Sequence, residues 1–132
     1  MAEPYQFELV SPERLLVSES VESVIIPATE GEMTVMAKHA PTMTTIKPGI
    51  VTVKTGSGKE ERYVVFGGFA DILPDSCTVL AESATHIDQL DRAVLEARIQ
   101  TARDDLSNAS DDDSRTGAEE LLHQLATLQD AV

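Results

Sequence analysis

A chain of 132 residues has room for one domain, or for a small domain with an appendage, and excludes a large multidomain enzyme. Twenty-three acidic against ten basic side chains give a formal charge of −13, and 42% of the residues are apolar, so the chain can bury a core while repelling DNA, RNA and anionic headgroups over most of its surface. A basic partner protein fits that charge; the short apolar runs exclude a membrane-spanning helix, and a single cysteine, Cys77, excludes an intramolecular disulfide or a multi-cysteine metal centre.

The first nine residues, Met1 to Leu9, carry no basic side chain and no apolar stretch ahead of a small-residue cleavage site. No secretory signal is expected, and the default compartment is the cytoplasm. From Tyr5 to Glu82 the chain is a series of short segments rich in Val, Ile, Thr and aromatics. Tyr5, Phe7 and Leu9 alternate with Gln6 and Glu8, Met33, Val35 and Ala37 with Thr34, Met36 and Lys38, and Val51 and Val53 with Thr52 and Lys54. A period of two predicts strands with one apolar face. Breaks are expected at Thr29 to Glu32, His39 to Pro41, Lys47 to Gly49, Thr55 to Lys59, Gly67-Gly68 and Pro74 to Ser76. Their spacing predicts an antiparallel β-sandwich over residues 1–86. Cys77 alternates with Val79 and reads as a small buried hydrophobe.

At Thr85 the period lengthens to about 3.6. Thr85-His86-Ile87-Asp88 matches a capping box, so a helix is expected to start there. Ile87, Leu90, Val94 and Ala97, with Leu95, Ile99, Ala102 and Leu106, make a broad apolar stripe. Ser107 to Thr116 is polar and reads as a turn. A second box, Thr116-Gly117-Ala118-Glu119, is expected to open a second helix carrying Leu121, Leu122, Leu125, Leu128 and Val132. The fold class is therefore α+β: an N-terminal antiparallel β-sandwich, then a C-terminal two-helix hairpin over residues 87–132. Residues 1–86 carry six basic and twelve acidic side chains and residues 87–132 four and eleven, net −6 and −7. The smaller part is the more acidic, and two short helices have little core of their own.

Catalytic motifs are scarce. Gly56-Ser57-Gly58-Lys59-Glu60 has Val53 where a phosphate loop needs glycine and Glu60 where it needs a hydroxyl, so it reads as a hairpin turn. A calcium loop beginning at Asp111 would put Arg115 at its fifth position and Leu122 in place of the bidentate Glu. Asp111, Asp112 and Asp113 instead read as acids preceding a helix. His39, His86 and His123 show no metal-binding spacing, and no glycine pattern marks a nucleophilic serine. No catalytic residue, metal or cofactor is expected.

Val10-Ser11-Pro12-Glu13-Arg14, Glu30-Gly31-Glu32-Met33, His39-Ala40-Pro41, Ile46-Lys47-Pro48-Gly49, Gly67-Gly68-Phe69 and Val79-Leu80-Ala81-Glu82 follow one another in an order and spacing that resemble the epsilon subunits of F-type ATP synthases. The likeness runs over nearly the whole chain. It implies a ten-stranded sandwich with a helical hairpin, and a non-catalytic rotor part lying between the gamma subunit and the ring of c subunits, peripheral on the cytoplasmic face of a bacterial inner membrane. It implies Glu32 as a c-ring contact, and Ser11, His39 and Thr44 as gamma contacts. Two other readings stay open: a nucleotide-sensing brake on ATP hydrolysis whose tail reaches the alpha and beta subunits, and a free-standing ligand-binding sandwich.

Some members of that family bind ATP through Ile or Leu, Asp, two variable residues, Arg and Ala. Here three residues separate Ile87-Asp88 from Arg92-Ala93. On a continuous helix the extra residue would turn the guanidinium about 100° from the carboxylate, so ATP binding is not expected. The second helix has no Lys or Arg after Arg115, so the tail is expected to inhibit hydrolysis weakly.

Overall fold

The computed structural model describes residues 4–38 and 40–132. The chain divides into two compact units, Met1–Ile87 and Asp88–Val132. The first contains β1 (Tyr5–Val10), β2 (Leu15–Val21), β3 (Ser23–Ala28), β4 (Gly31–Met36), β5 (Thr42–Lys54), β6 (Glu60–Leu73), β7 (Ser76–Ala81) and β8 (Ala84–His86). The second contains α1 (Arg92–Ser107) and α2 (Asp112–Ala131). A single 3-10 turn at Ile87–Gln89 spans the boundary.

The strands form one hydrogen-bonded sheet in the order β2-β1-β7-β6-β5-β3-β4, with β8 on the N-terminal half of β6. The sheet makes a sandwich because β5 and β6 run through both layers. One layer is β2, β1, β7, the end of β6 and the start of β5; the other is β8, the start of β6, the end of β5, β3 and β4. Counted by layer, the eight described strands give the ten that the family resemblance implies. Every pairing is antiparallel except β1 with β7, where Phe7 and Leu9 run parallel to Cys77 and Val79.

The breaks expected at Lys47 to Gly49 and at Gly67-Gly68 are corners within continuous strands. Ile46 pairs with Gly68, and Pro48 with Phe66, so the ladder resumes past the bend. Gly68 has φ +137°, and a Cβ there would lie 2.0 Å from the Leu80 carbonyl oxygen. Only a residue without a side chain lets β7 approach the bend so closely. At the matching corner of β5, a Cβ on Gly49 would meet Pro27 at 2.6 Å.

Alternation does the rest. Phe7, Leu9, Val24, Ile26, Val51, Val53, Ala70, Ile72, Cys77 and Val79 point between the layers and are completely buried. Removing one such aliphatic or aromatic side chain from water stabilises the fold by roughly 1.5–3 kcal/mol. The Tyr5 hydroxyl donates to the Val35 carbonyl at 2.6 Å, tying β1 in one layer to β4 in the other, and burial pushes its phenol well above the ordinary value. Cys77 sits in this core as expected, and burial pushes its thiol up to about 12.

The helices start elsewhere than the sequence suggests. Thr85 and His86 do not open a helix, because Ala84, Thr85 and His86 pair with Val65, Val64 and Tyr63 at the sheet edge. The cap of α1 is Asp91, whose carboxylate accepts the Ala93 N–H at 2.9 Å. Likewise α2 begins at Asp112, capped by Asp111, which accepts the Ser114 N–H at 2.7 Å. The Thr116 box is inside α2, and the break between helices is only Asn108 to Asp111. A carboxylate preceding the helix satisfies orphan N–H groups and favours the positive end of the helix dipole, so it prevails over Thr116. Leu95, Ile99 and Ala102 of α1 and Leu125 and Leu128 of α2 are buried, whereas Val94 and Leu121 are exposed.

Candidate interaction surface

The layer containing β2, β1, β7 and the end of β6 has an outer face that alternation should make polar. Part of it is not. Between buried Gly68 and Ala70, Phe69 points outward and is 56% exposed; between buried Val79 and Ala81, Leu80 is 51% exposed. Phe69 pairs with Leu80, Leu80 with Val10, and Val10 with Leu15. A register shift after Leu9 produces the last pairing: Leu16 packs on the core and Leu15 is left 53% exposed. Leu15, Val10, Leu80 and Phe69 therefore form an apolar row across four strands, each side chain opposite the next. Met43, 72% exposed, lies on the same face of β5.

A cleft of about 300 Å³ opens into this row, between the β1–β2 turn and the β6 corner. The turn closes on itself: the Ser11 N–H donates to the Arg14 carbonyl at 2.9 Å and the Arg14 N–H to the Ser11 carbonyl at 3.3 Å. The Ser11 hydroxyl also donates to the Arg14 carbonyl, at 3.4 Å. Ser11 is the one buried polar residue among those described, held by its own turn.

The beta-sandwich model of the ATP synthase delta/epsilon chain matches residues 4–87. An ATP synthase epsilon chain of Mesorhizobium japonicum is 67% identical over all of this chain and 98% of its own length, and one of Rhizobium meliloti is 65% identical with the same coverage. The chain belongs to the ATP synthase epsilon family. Among solved structures, a chain of the Euglena gracilis mitochondrial ATP synthase, determined with OSCP, F1 and c-ring, superposes with a TM-score of 0.76 at 28% identity, over 97% of this chain and 81% of that one. A chain from the central stalk and c-ring of the Tetrahymena thermophila enzyme has a TM-score of 0.69 over 96% of each chain; at 12% identity it speaks for the fold alone.

The family residues carried over from sequence lie apart. Ser11 lines the cleft. Thr44 is half-buried on β5, between outward-facing Met43 and Thr45, with its hydroxyl donating to the Thr45 carbonyl at 3.4 Å. Glu32 is exposed on β4, opposite Pro27, and follows Gly31, which takes a φ of +134° as the turn requires. His39 lies outside the described residues. Sequence reading missed Phe69, Leu80, Val10 and Leu15 as a surface. The available signal was a period-two segment with large apolar residues on both faces, as in Phe69-Ala70-Asp71-Ile72-Leu73.

The epsilon-type tail differs from the sequence argument in one respect. Asp88 is in the 3-10 turn and Arg92 is the first residue of α1, so the two are not on one helix and the 100° rotation does not describe them. What remains is the unmatched spacing. Elsewhere, Gly56-Ser57-Gly58-Lys59 is the hairpin turn expected: Thr55 N–H donates to the Lys59 carbonyl at 2.9 Å and Gly58 N–H to the Thr55 carbonyl at 3.0 Å. At the end of the sandwich, His86 Nε2 and Lys59 Nζ both contact Glu61, the lysine at 3.1 Å, and Tyr63 meets the His86 ring edge-on. The hydrogen bond from His86, then that from Lys59, holds the Glu61 carboxyl below the usual carboxylate range. Among the described residues no three His, Cys, Asp or Glu side chains converge as metal ligands would, and no helix is long and apolar enough to cross a membrane.

Proposed function

We propose that this chain is the non-catalytic central-stalk subunit of a proton-translocating F-type ATP synthase, coupling rotation of the c ring to ATP synthesis through gamma, and lying peripherally on the cytoplasmic face of a bacterial inner membrane. The observation that carries the reading is the in-register row Leu15, Val10, Leu80 and Phe69. Apolar side chains contiguous on the outer face of a sheet mark a protein interface, since solvated sheet faces are otherwise polar. A torque-bearing part must also resist deformation, and a sandwich whose two long strands pass through both layers is stiffer than two sheets joined by loops. In this reading gamma docks on the row beside Ser11, and Thr44, half-buried behind outward-facing Met43 and Thr45, backs that face without meeting gamma directly; His39 is carried over as a gamma contact on the family resemblance alone. Glu32, an exposed acid beside a turn, faces the c-ring loops. Chemistry belongs to other subunits.

The test is reconstitution of membranes stripped of this subunit. Adding the chain restores proton-coupled ATP synthesis, whereas Phe69→Glu with Leu80→Glu, which puts two charges on the docking row, abolishes rebinding without unfolding the sandwich. Turnover of a substrate by the purified chain alone would overturn the reading. The scarcity of basic residues in α2 favours a weak brake over a strong one: the chain lowers ATP hydrolysis less than about twofold, and a larger fall relieved by deleting residues 88–132 would show the opposite.

A further inference from the structure

We infer that the cleft beside the apolar row is an anchor pocket for one large apolar side chain of gamma, and that a Lys or Arg next to that side chain meets Glu82. This rests on the docking reading above and names the chemistry the partner must present.

The pocket is built to receive a side chain. Its walls are Val10, Pro12, Phe69, Leu80 and Ala81, with Glu82 at one end, and a volume of about 300 Å³ admits one bulky side chain and no folded segment. The floor is backbone, because Gly68 has no side chain where β7 passes. The wall at Pro12 is set in advance by the closed Ser11–Arg14 turn, so little ordering is needed on binding. Anchors of this kind, central and desolvated, dominate the energy of interfaces.

The charge follows from position. Glu82 is exposed, and its backbone N–H donates to the Gly67 carbonyl at 3.0 Å, which fixes it at the corner. Its carboxylate leans over that corner, 3.3 Å from where a Cβ on Gly67 would stand. Among the described residues it forms no ion pair. Glu8 and Asp71 stand on the same outer face, paired through Thr78. A partner approaching this face meets negative charge around an apolar opening, and the complementary segment is an apolar residue with a cationic neighbour.

The experiment measures the affinity of the full chain for F1 particles lacking this subunit, at low and high salt, with urea midpoints confirming that each variant folds. Leu80→Ala weakens binding by about thirtyfold at both salt concentrations, as loss of a hot-spot wall should. Glu82→Gln weakens it by about fivefold at low salt, with the loss shrinking towards none as salt rises, as an interfacial rim charge should. Thr78→Ala, on the same face outside the pocket, leaves affinity unchanged. If Leu80→Ala and Thr78→Ala behave alike, or if Glu82→Gln shows no salt-dependent loss, the anchor assignment is overturned and docking on this subunit stands. If the unaltered chain does not bind, docking itself is overturned.

Discussion

The two units of this chain solve the burial problem to different degrees. The sandwich completely buries side chains from both layers, from Phe7 and Leu9 in β1 to Val24 and Ile26 in β3, and joins strands by ladders between residues far apart in sequence. The helical unit, residues 88–132, buries five side chains: Leu95, Ile99, Ala102, Leu125 and Leu128. Local hydrogen bonds can form such helices, but so few buried contacts hold them weakly. The sandwich is therefore the rigid part and the hairpin the part that opens first.

The sharpest way to break that contrast is to add the same methyl group to each unit. At Gly68 it collides with the Leu80 carbonyl and sits on a backbone of positive φ, so Gly68→Ala destabilises the sandwich by about 3–5 kcal/mol. Gly117 is inside α2 with nothing within 4 Å of a Cβ, and Gly117→Ala stabilises that helix by about 1 kcal/mol. Urea midpoints are read by tyrosine fluorescence for the sandwich and by far-UV dichroism for the helices: Gly68→Ala should lower the first alone and Gly117→Ala raise the second alone. If both midpoints moved together in either variant, the two units would unfold as one.

Core truncations refine the same comparison with a smaller effect. Phe7→Ala should cost about 3–4 kcal/mol and lower the sandwich transition, whereas Leu95→Ala should cost about 2–3 kcal/mol and lower the helical one alone. Calorimetry of both variants checks whether the transitions separate.

These glycines also show how much could be read in advance. The sandwich was legible because alternation is a local property: Tyr5, Phe7 and Leu9 face inward whatever their partners. Gly67-Gly68 and Pro48-Gly49 were legible as interruptions, yet a glycine that ends a strand and one that lets a strand bend beneath a neighbour look alike until the neighbour is known. In this fold the neighbours, Leu80 and Pro27, come from distant segments. The Thr85 box failed for a similar reason, since a tertiary pairing with Tyr63, Val64 and Val65 claims that backbone first. For the surface, an outward Phe69 acquires meaning only through its register with Leu80, Val10 and Leu15.

Acid provides the mildest comparison, because in each unit the fold favours the ionised form of a described carboxylate. In the sandwich it is Glu61, held below the usual range by His86 and then Lys59; in the hairpin it is Asp111, held down by the Ser114 N–H it accepts. For a group depressed in the folded state, the stabilisation is complete above the unfolded value, near 4 for these side chains, and is lost as the pH falls through the lower folded one. Both units should thus weaken below about pH 4, each through its own group. Glu61→Gln should flatten that part of the sandwich profile and leave the helical profile as it was. Asp111→Asn keeps a cap able to accept the Ser114 N–H, so it should flatten the helical profile with little loss at neutral pH. Melting each variant across the acid range checks the assignment. If Asp111→Asn altered the sandwich profile instead, the stabilities of the two units would be coupled, and the hairpin could not open while the sandwich stayed closed.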